Sequence, residues 1–197
     1  MILTQTIENL TTWVQENICS QVTMLKPDDK QMDEGYEVEY VNPKAFPLYI
    51  PAKDCLPPDV DTKLPAVCVQ LIDGNDNLTK YEETLHIRIA FAVWRPGTYT
   101  EVEEQDENGN VAKKQKFVMN ADGWKDVWSF LDKAKRIIQK NMYIEDVRID
   151  RKEPMKFGFF SNDDTMVNAY PEWYAWLSFA VKSGTAVTPE EKYQELL

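Results

Sequence analysis

The sequence predicts an α+β fold: a mostly antiparallel or mixed β-sheet with two main amphipathic helices packed on it, a protruding charged β-hairpin and a short C-terminal helix. Helical apolar spacing covers residues 3–18 and 122–142, and strand patterns cover residues 64–95 and 146–182. Strands grouped around only two long helices favour α+β over a regular βαβ alternation. With 197 residues, 43% of them apolar, the chain can bury one sizeable core, and we expect a single domain over 1–197.

The two predicted helices each carry one apolar stripe. Over residues 3–18 the stripe recurs at steps of three or four, at Leu3, Ile7, Leu10, Val14 and Ile18. Over residues 122–142 the spacing is similar, at Trp124, Val127, Trp128, Leu131, Ala134, Ile137, Ile138 and Met142. Asp122 is a candidate N-cap for the second helix. We expect both stripes to lie against the sheet.

The segment 26–63 holds six of the eleven prolines. Proline has no N–H to donate to a central strand ladder, so this insert is predicted to form loops and edge strands. Within it, alternation over residues 36–40 and the apolar run over residues 46–50 indicate two short edge strands.

Residues 64–95 predict an antiparallel strand pair. The run 66–72 is apolar except for Gln70, and residues 85–93 alternate between large apolar residues and others. Residues 73–77 lie between the two runs and have the Asp, Gly and Asn composition of a reverse turn.

Residues 99–119 predict a hairpin folded at Asn108-Gly109, the dipeptide that best suits a two-residue type I′ turn. In that register an acidic arm faces a basic arm, with the opposite pairs Glu104–Lys113, Glu103–Lys114 and Glu101–Lys116. Such pairs are worth only about 0.2 to 1 kcal/mol each, but all three favour one register. We therefore predict a subunit or partner interface here, formed by Glu101, Glu103, Glu104, Asp106, Glu107, Lys113, Lys114 and Lys116.

The C-terminal part predicts strands over residues 146–182 and a short helix over residues 188–196, where a threonine precedes proline and two acids. Strand alternation sends Trp173 to one face and Tyr174 and Trp176 to the other. These aromatics could stack on a sugar, a base or a partner's side chain. A mixture of core and subunit contact is favoured, because amphipathic aromatics are enriched at interfaces, so the three residues join the predicted interface.

The charge balance excludes several classes of protein. The chain has 22 basic and 33 acidic side chains, which gives a net charge of −11. Tight binding to nucleic acid or to anionic membranes needs clustered basic residues, so neither is expected. An apolar run long enough to cross a membrane and a signal peptide are both missing, which predicts a cytosolic site of assembly. Three widely spaced cysteines predict reduced thiols, at Cys19, Cys55 and Cys68.

We expect no catalytic, cofactor-binding or metal-ligating residue. His86 is the single histidine, and it lies in a predicted strand with no nucleophile motif beside it. Cysteine and histidine spacing does not match a zinc site. The segment 73–77 starts like an EF-hand loop, but Leu78 and Thr84 stand where glycine and glutamate are needed. Single, scattered glycines form no phosphate-binding loop.

The order of segments carries a resemblance. After the N-terminal helix come the Pro-led strand 64–69, a long strand that ends at Trp94-Arg95-Pro96, the helix 127–138 and the late strand 170–179. In the order of these segments and in their residue patterns, the chain resembles the small tail terminator, or tail completion, proteins of tailed bacteriophages and prophages, which are minor tail proteins. The resemblance covers most of the chain.

This resemblance implies a sheet with helices packed on it and a homo-oligomeric ring, commonly a hexamer, at the head-proximal end of the tail tube. Such a ring stops tube polymerisation and docks the head side, so the implied partners are tail tube and head–tail connector proteins. It also implies a structural protein of the virion tail, assembled in the bacterial host cytoplasm, and not an enzyme. An acidic ring lining would let DNA slide through without being captured.

The alternative is a non-catalytic binding module that uses Trp173, Tyr174 and Trp176 on a carbohydrate or protein partner. Saturable sugar binding by a monomer would favour this alternative, whereas a discrete oligomer favours the ring.

Overall fold

The computed structural model describes residues 3–27, 39–77, 79, 82–105, 111–162, 165–166 and 169–184. Over this part of the chain the fold is α+β, as the sequence predicts, with a mixed β-sheet and two helices. The helices are α1 (Leu3–Asn17) and α2 (Gly123–Lys140). The strands are, in chain order, β1 (Met24–Leu25), β2 (Tyr40–Val41), β3 (Lys44–Pro47), β4 (Ala66–Asn77), β5 (Glu82–Trp94), β6 (Gly97–Gln105), β7 (Val111–Met119), β8 (Tyr143–Ile144), β9 (Val147–Ile149), β10 (Lys156–Phe159), β11 (Ser161–Asn162), β12 (Thr165–Met166) and β13 (Glu172–Gly184).

The main sheet has seven strands among the described residues, in the order β3-β4-β5-β13-β9-β8, and β10 also pairs with β13. Strands β3 and β4 are parallel, and the other neighbours are antiparallel. The long strands β5 and β13 pair from Trp94 opposite Glu172 to Glu82 opposite Gly184. These two strands run the whole length of the sheet, and successive side chains along each of them point to its two faces in turn.

The core lies between one face of the sheet and the two helices. The alternating residues of β5 that the pattern predicts to be apolar, Leu85, Ile87, Ile89, Phe91 and Val93, are all buried. On α2, a row of fully buried residues faces this layer, including Val127, Phe130, Leu131, Ala134 and Ile138. The rings of Phe91 and Phe130 meet edge to face with centroids 4.9 Å apart.

The other face of the sheet is partly covered by the Pro-rich insert. Ala66, Ala92 and Tyr174 form one row across three strands on this face. A second cluster of buried apolar residues packs there, made by Leu25, Phe46, Leu64, Ala66, Ala92 and Trp94. The insert therefore caps one end of the outer face, and its described residues contribute the short strands β2 and β3, consistent with its proline content.

The predicted turn over residues 73–77 is wrong, because these residues continue strand β4. The register shifts between Leu71 and Asp73, which leaves Ile72 in a bulge, and pairing then runs on to Asn77 opposite Glu82. The bulge places Asp73 opposite His86, and the Asp73 carboxylate binds the imidazole there. Turn-forming residue types are thus accommodated in an exposed strand end.

The predicted register of the hairpin is also wrong by one residue. The structure pairs Glu103 with Lys113, Glu104 with Ala112 and Gln105 with Val111. Five residues separate the last pair, which does not fit a two-residue turn at the predicted place.

An aromatic pair explains the observed register. Tyr99 lies opposite Phe117 with ring centroids 5.2 Å apart, and the Phe117 ring packs over Gly97. The predicted register would have placed Tyr99 opposite Val118 instead. Aromatic packing at the hairpin base outweighs exposed ion pairs, which contribute little.

Asp122 precedes α2 but makes no capping bond through its side chain. Its carboxylate accepts a bond of 2.7 Å from Lys125, while the Asp122 N–H donates to the Asn120 side chain. The predicted helix over residues 188–196 lies outside the described residues. No helix in the described ranges is long and apolar enough to cross a membrane.

Candidate functional site

Strands β6 and β7 form a two-stranded sheet of their own. Within the part of the chain that the structure describes, they pair only with each other, so both outer edges lack a strand partner. Three apolar side chains on this ribbon are strongly exposed: Val111 at 55%, Val118 at 44% and Met119 at 57%. Exposed edges together with exposed apolar side chains are typical of a surface that binds another chain.

Four of the predicted interface residues are exposed on this ribbon: Glu101, Glu103, Lys113 and Lys116. Lys113 Nζ donates to Oε2 of the diagonally opposite Glu101 at 3.2 Å, and both side chains are about two-thirds exposed. Lys116 faces Thr100 instead of Glu101. The charged arms thus meet, although by a different pairing from the predicted one.

For the other four predicted interface residues of the hairpin, the structure gives either the strand register alone or no description. In the strand register Glu104 lies opposite Ala112 and Lys114 lies opposite Val102, in place of the predicted pairs Glu104–Lys113 and Glu103–Lys114. Asp106 and Glu107 lie outside the described residues.

The base of the ribbon is bound firmly to the main fold. Arg95 Nη1 donates to Asp126 Oδ2 at 3.0 Å, which ties the chain before β6 to α2. Asn120 Nδ2 donates to Thr98 Oγ1 at 2.6 Å across the two strands. From β13 and the turn before it, Trp173 Nε1 donates to the Arg95 carbonyl at 3.1 Å and the Tyr170 hydroxyl donates to the Pro96 carbonyl at 2.5 Å, which completes the attachment.

The three predicted aromatics do not form one surface. Trp173 lies on the helix-facing side, packs against the core and sits over Gly123. Tyr174 lies on the outer face beneath the insert, where its hydroxyl donates to Glu172. Burial, with a further effect of Glu172, raises the pKa of Tyr174 above its usual range. Both residues are therefore held by the fold instead of offering a free stacking surface.

Trp176 lies on the uncovered part of the outer face. Its indole Nε1 donates to the Phe159 carbonyl at 2.9 Å, and its ring packs over Gly158. The Arg88 guanidinium lies 5.5 Å from the ring centroid, which gives a cation–π contact. Arg88 Nε is buried without a hydrogen-bond partner among the described residues. The exposed side of this ring is thus already occupied by a cation from the same chain.

His86 lies in the same open groove, which has a volume of about 310 Å³. Its Nδ1 contacts Asp73 and its Nε2 lies 3.0 Å from Glu153. These carboxylates, Asp73 foremost, raise the pKa of His86 above its ordinary value, against a smaller opposing effect of burial. A carboxylate thus engages the imidazole at each of its two nitrogens.

The cysteines are of two kinds. Cys19 and Cys68 are buried, and burial raises the pKa of each thiol to about 12, whereas Cys55 is exposed. A thiol with so high a pKa is a poor nucleophile. Over the described ranges, no group of three or more histidine, cysteine or acidic side chains is arranged to hold a metal ion.

A cavity of about 1030 Å³ lies between the insert and the outer face of the sheet. Lys26 crosses its rim and binds Asp61 at 2.5 Å and Glu39 at 2.9 Å. These two carboxylates, Asp61 first, raise the pKa of Lys26. These ion pairs join three parts of the insert to one another.

One charged surface was missed by the sequence reasoning. Residues 133–156 contain eight basic and four acidic side chains, in a chain whose total is −11. A groove of about 410 Å³ lies between the end of α2 and β10, and its lining takes two basic residues, Lys135 and Arg151, and two acidic residues, Asp150 and Glu153, from this segment. Lys135 Nζ lies 4.4 Å from the Phe157 ring centroid, and Arg151 lines the same groove. A local charge count, in place of the total, would have identified it.

Comparison with known proteins identifies no family for this chain: no family model matches it, and no curated protein matches it.

Proposed function

We propose that this protein is a structural component of a bacteriophage or prophage tail: a tail terminator whose copies form a ring, a hexamer in the simplest case, at the head-proximal end of the tail tube. In this role it stops tube polymerisation and docks the head side. It acts in the virion tail after assembly in the host cytoplasm, and it binds tail tube and connector proteins instead of transforming a small molecule.

The observation that carries this proposal is the isolated β6–β7 ribbon. Two-stranded hairpins are marginally stable in water unless a third strand or another surface covers them. Here both edges and the apolar side chains Val111, Val118 and Met119 are exposed, although the base is firmly attached. We take the ribbon to be a protruding charged arm that is completed by a neighbouring subunit.

The charge of the molecule supports the same role. A ring that DNA must cross should not retain it, and a net charge of −11 makes the protein as a whole repel a polyanion.

The alternative binding module has less support from the geometry. Trp173 and Tyr174 are held inside the fold, and the Trp176 ring is already stacked against Arg88. A sugar platform needs an aromatic ring with a free face. Saturable binding of an oligosaccharide by the monomer would favour this alternative.

Deletion of the arm tests the proposal. We expect the full chain to form a discrete ring in light scattering and electron microscopy, and a variant with residues 100–117 replaced by a short Gly-Ser linker to remain monomeric with an unchanged circular dichroism band for the helices. As a matched control, Y49S removes a side chain that is 68% exposed on the insert and should leave the ring intact. Ring formation by the arm-deleted chain would contradict the proposal.

A further inference from the structure

The proposed arm needs an acceptor, and the described strands offer few free edges. Strand β3 is an outer strand of the main sheet, but it contains Pro47 and follows Pro43, and proline removes donors from an edge. Strand β8 has only two residues. Strand β10 has four residues without proline, and among the described residues it pairs only with β13. Its outer edge is therefore the best acceptor that the sheet offers.

The charges of donor and acceptor are complementary. Strand β6 carries three acidic residues and no basic residue between Gly97 and Gln105. Strand β10 is flanked by the basic segment 133–156, and Lys156 on β10 is exposed with no ion-pair partner in the described ranges. Lys152, on the turn before the strand, is also exposed. Opposite charges on two strands of one molecule favour their pairing between copies and disfavour pairing of like strands.

Apolar surface accompanies these charges. Phe157 on β10 is 44% exposed although Trp128 and Lys135 pack on its ring. A strand added along the outer edge of β10 would cover part of this ring, which a solitary subunit leaves in water.

From these observations we propose that the free edge of β6 on one copy pairs with the free edge of β10 on the next copy and extends its sheet, with Glu101 and Glu103 beside Lys152 and Lys156. The inference rests on the proposed assembly and names its contact. Donor and acceptor are different surfaces, so the interface is heterologous and propagates from copy to copy until it closes as a ring.

Charge reversal tests this contact. We expect the arm variant E101K/E103K and the acceptor variant K152E/K156E each to raise the concentration at which half of the chain is assembled by about tenfold or more, because like charges then face each other. The insert variant K53E/K63E makes the same change of charge as the acceptor variant, but away from β10, and should assemble like the native chain. Sedimentation velocity measures the concentration of half-assembly for the native chain and for the three variants.

Mixing the two defective variants gives the decisive measurement. An arm-reversed copy has a basic arm and a basic acceptor, and an acceptor-reversed copy has an acidic arm and an acidic acceptor. In an equimolar mixture every contact between alternating copies is complementary, so we expect assembly to return with the variants in a one-to-one ratio. Each variant alone, at the same total concentration, should remain unassembled.

The outcomes separate this inference from the proposed function. If deletion of the arm abolishes assembly but K152E/K156E assembles normally, or if mixing restores nothing, the acceptor assignment is wrong and the ring proposal stands. If the native chain stays monomeric at every concentration, both are wrong.

Discussion

His86 connects three parts of the chain through one side chain. It is bound by Asp73 beside the β4 bulge and by Glu153 before β10, and the neighbouring charges of Arg88 and Lys156 line the same groove. Its raised pKa means that folding favours the protonated imidazole. The resulting stability is fully present below the pKa of the unfolded chain, about 6.5, and is lost as the pH rises through the higher folded value.

We therefore expect H86Q to be less stable than the native chain at pH 6 and equally stable at pH 9. Since the side chain is 36% exposed, the difference at pH 6 should be small, about 0.5 kcal/mol. Urea unfolding at both pH values measures it. The variant D73N/E153Q removes both partners and should abolish the pH dependence, and an unchanged pH dependence in that variant would show that another group is responsible.

Gly123 and Gly158 make a matched pair of substitutions. A Cβ atom at Gly123 would lie 2.1 Å from Trp173 Nε1, whereas one at Gly158 would lie 3.5 Å from the Trp176 ring, an ordinary contact. We expect G123A to lower the free energy of unfolding by about 1–3 kcal/mol through overpacking, and G158A to change it by less than about 0.5 kcal/mol. Equal effects in thermal unfolding would contradict the close packing of α2 on Trp173.

Helix α2 depends on a few fully buried side chains for its docking. Phe130 is completely buried and meets Phe91 edge to face. We expect F130A to cost about 3–5 kcal/mol, the usual range for removing a buried phenylalanine. The neighbouring exposed S129A should have little effect, and chemical denaturation compares the two. A loss below about 1 kcal/mol for F130A would mean that α2 packs loosely on the sheet.

Strands that bury a continuous or alternating apolar face were the most predictable elements. The five residues of β5 that the alternation indicated are all buried in the layer that faces the helices, whereas the burial of Ala92 and Trp94 on the other face depends on the insert. The course of β4 beyond Leu71 and the register of the β6–β7 ribbon were not predictable in this way. Both lie outside the core, where a bulge at Ile72 and the packing of Tyr99 on Phe117 decide the pairing.

The same difference in burial predicts a difference in stability between elements. In the monomer, backbone amides of β6 and β7 should exchange with solvent at least about a hundredfold faster than those of β5 and β13, because the ribbon has no covering layer. Hydrogen exchange with mass spectrometry measures both sets. In the assembled protein we expect the β6 amides to become protected. Equal protection in the monomer would show that the ribbon is stable by itself.

At the scale of the whole molecule, charge is unevenly distributed. The total is −11, yet residues 133–156 carry twice as many basic as acidic side chains. A local charge count over residues 133–156 reveals the basic excess, but its position beside β10 required knowledge that the end of α2 and β10 are neighbours in space. For this reason the sequence indicated the arm and missed its proposed acceptor.

The total charge also predicts behaviour toward DNA. At about 0.15 M salt we expect no retention of duplex DNA by the protein at micromolar concentrations, because eight basic residues interspersed with acids give too few phosphate contacts. Electrophoretic mobility of a labelled duplex measures this. The arm-deleted variant serves as a control for oligomer-dependent retention. A shifted band with the native protein would contradict an acidic passage for DNA.

The attachment of the ribbon to α2 and β13 has a geometric consequence. Hydrogen bonds of Arg95, Asn120 and Trp173 hold its two ends, so in the proposed assembly the ribbon would leave each copy at one fixed angle. In a head-to-tail assembly that angle determines how far each subunit is rotated from the last. The attachment of the ribbon to its own subunit would then determine the number of subunits in a closed circle. A substitution of Arg95 should therefore change the diameter of the circle more than it changes the strength of the contacts between subunits.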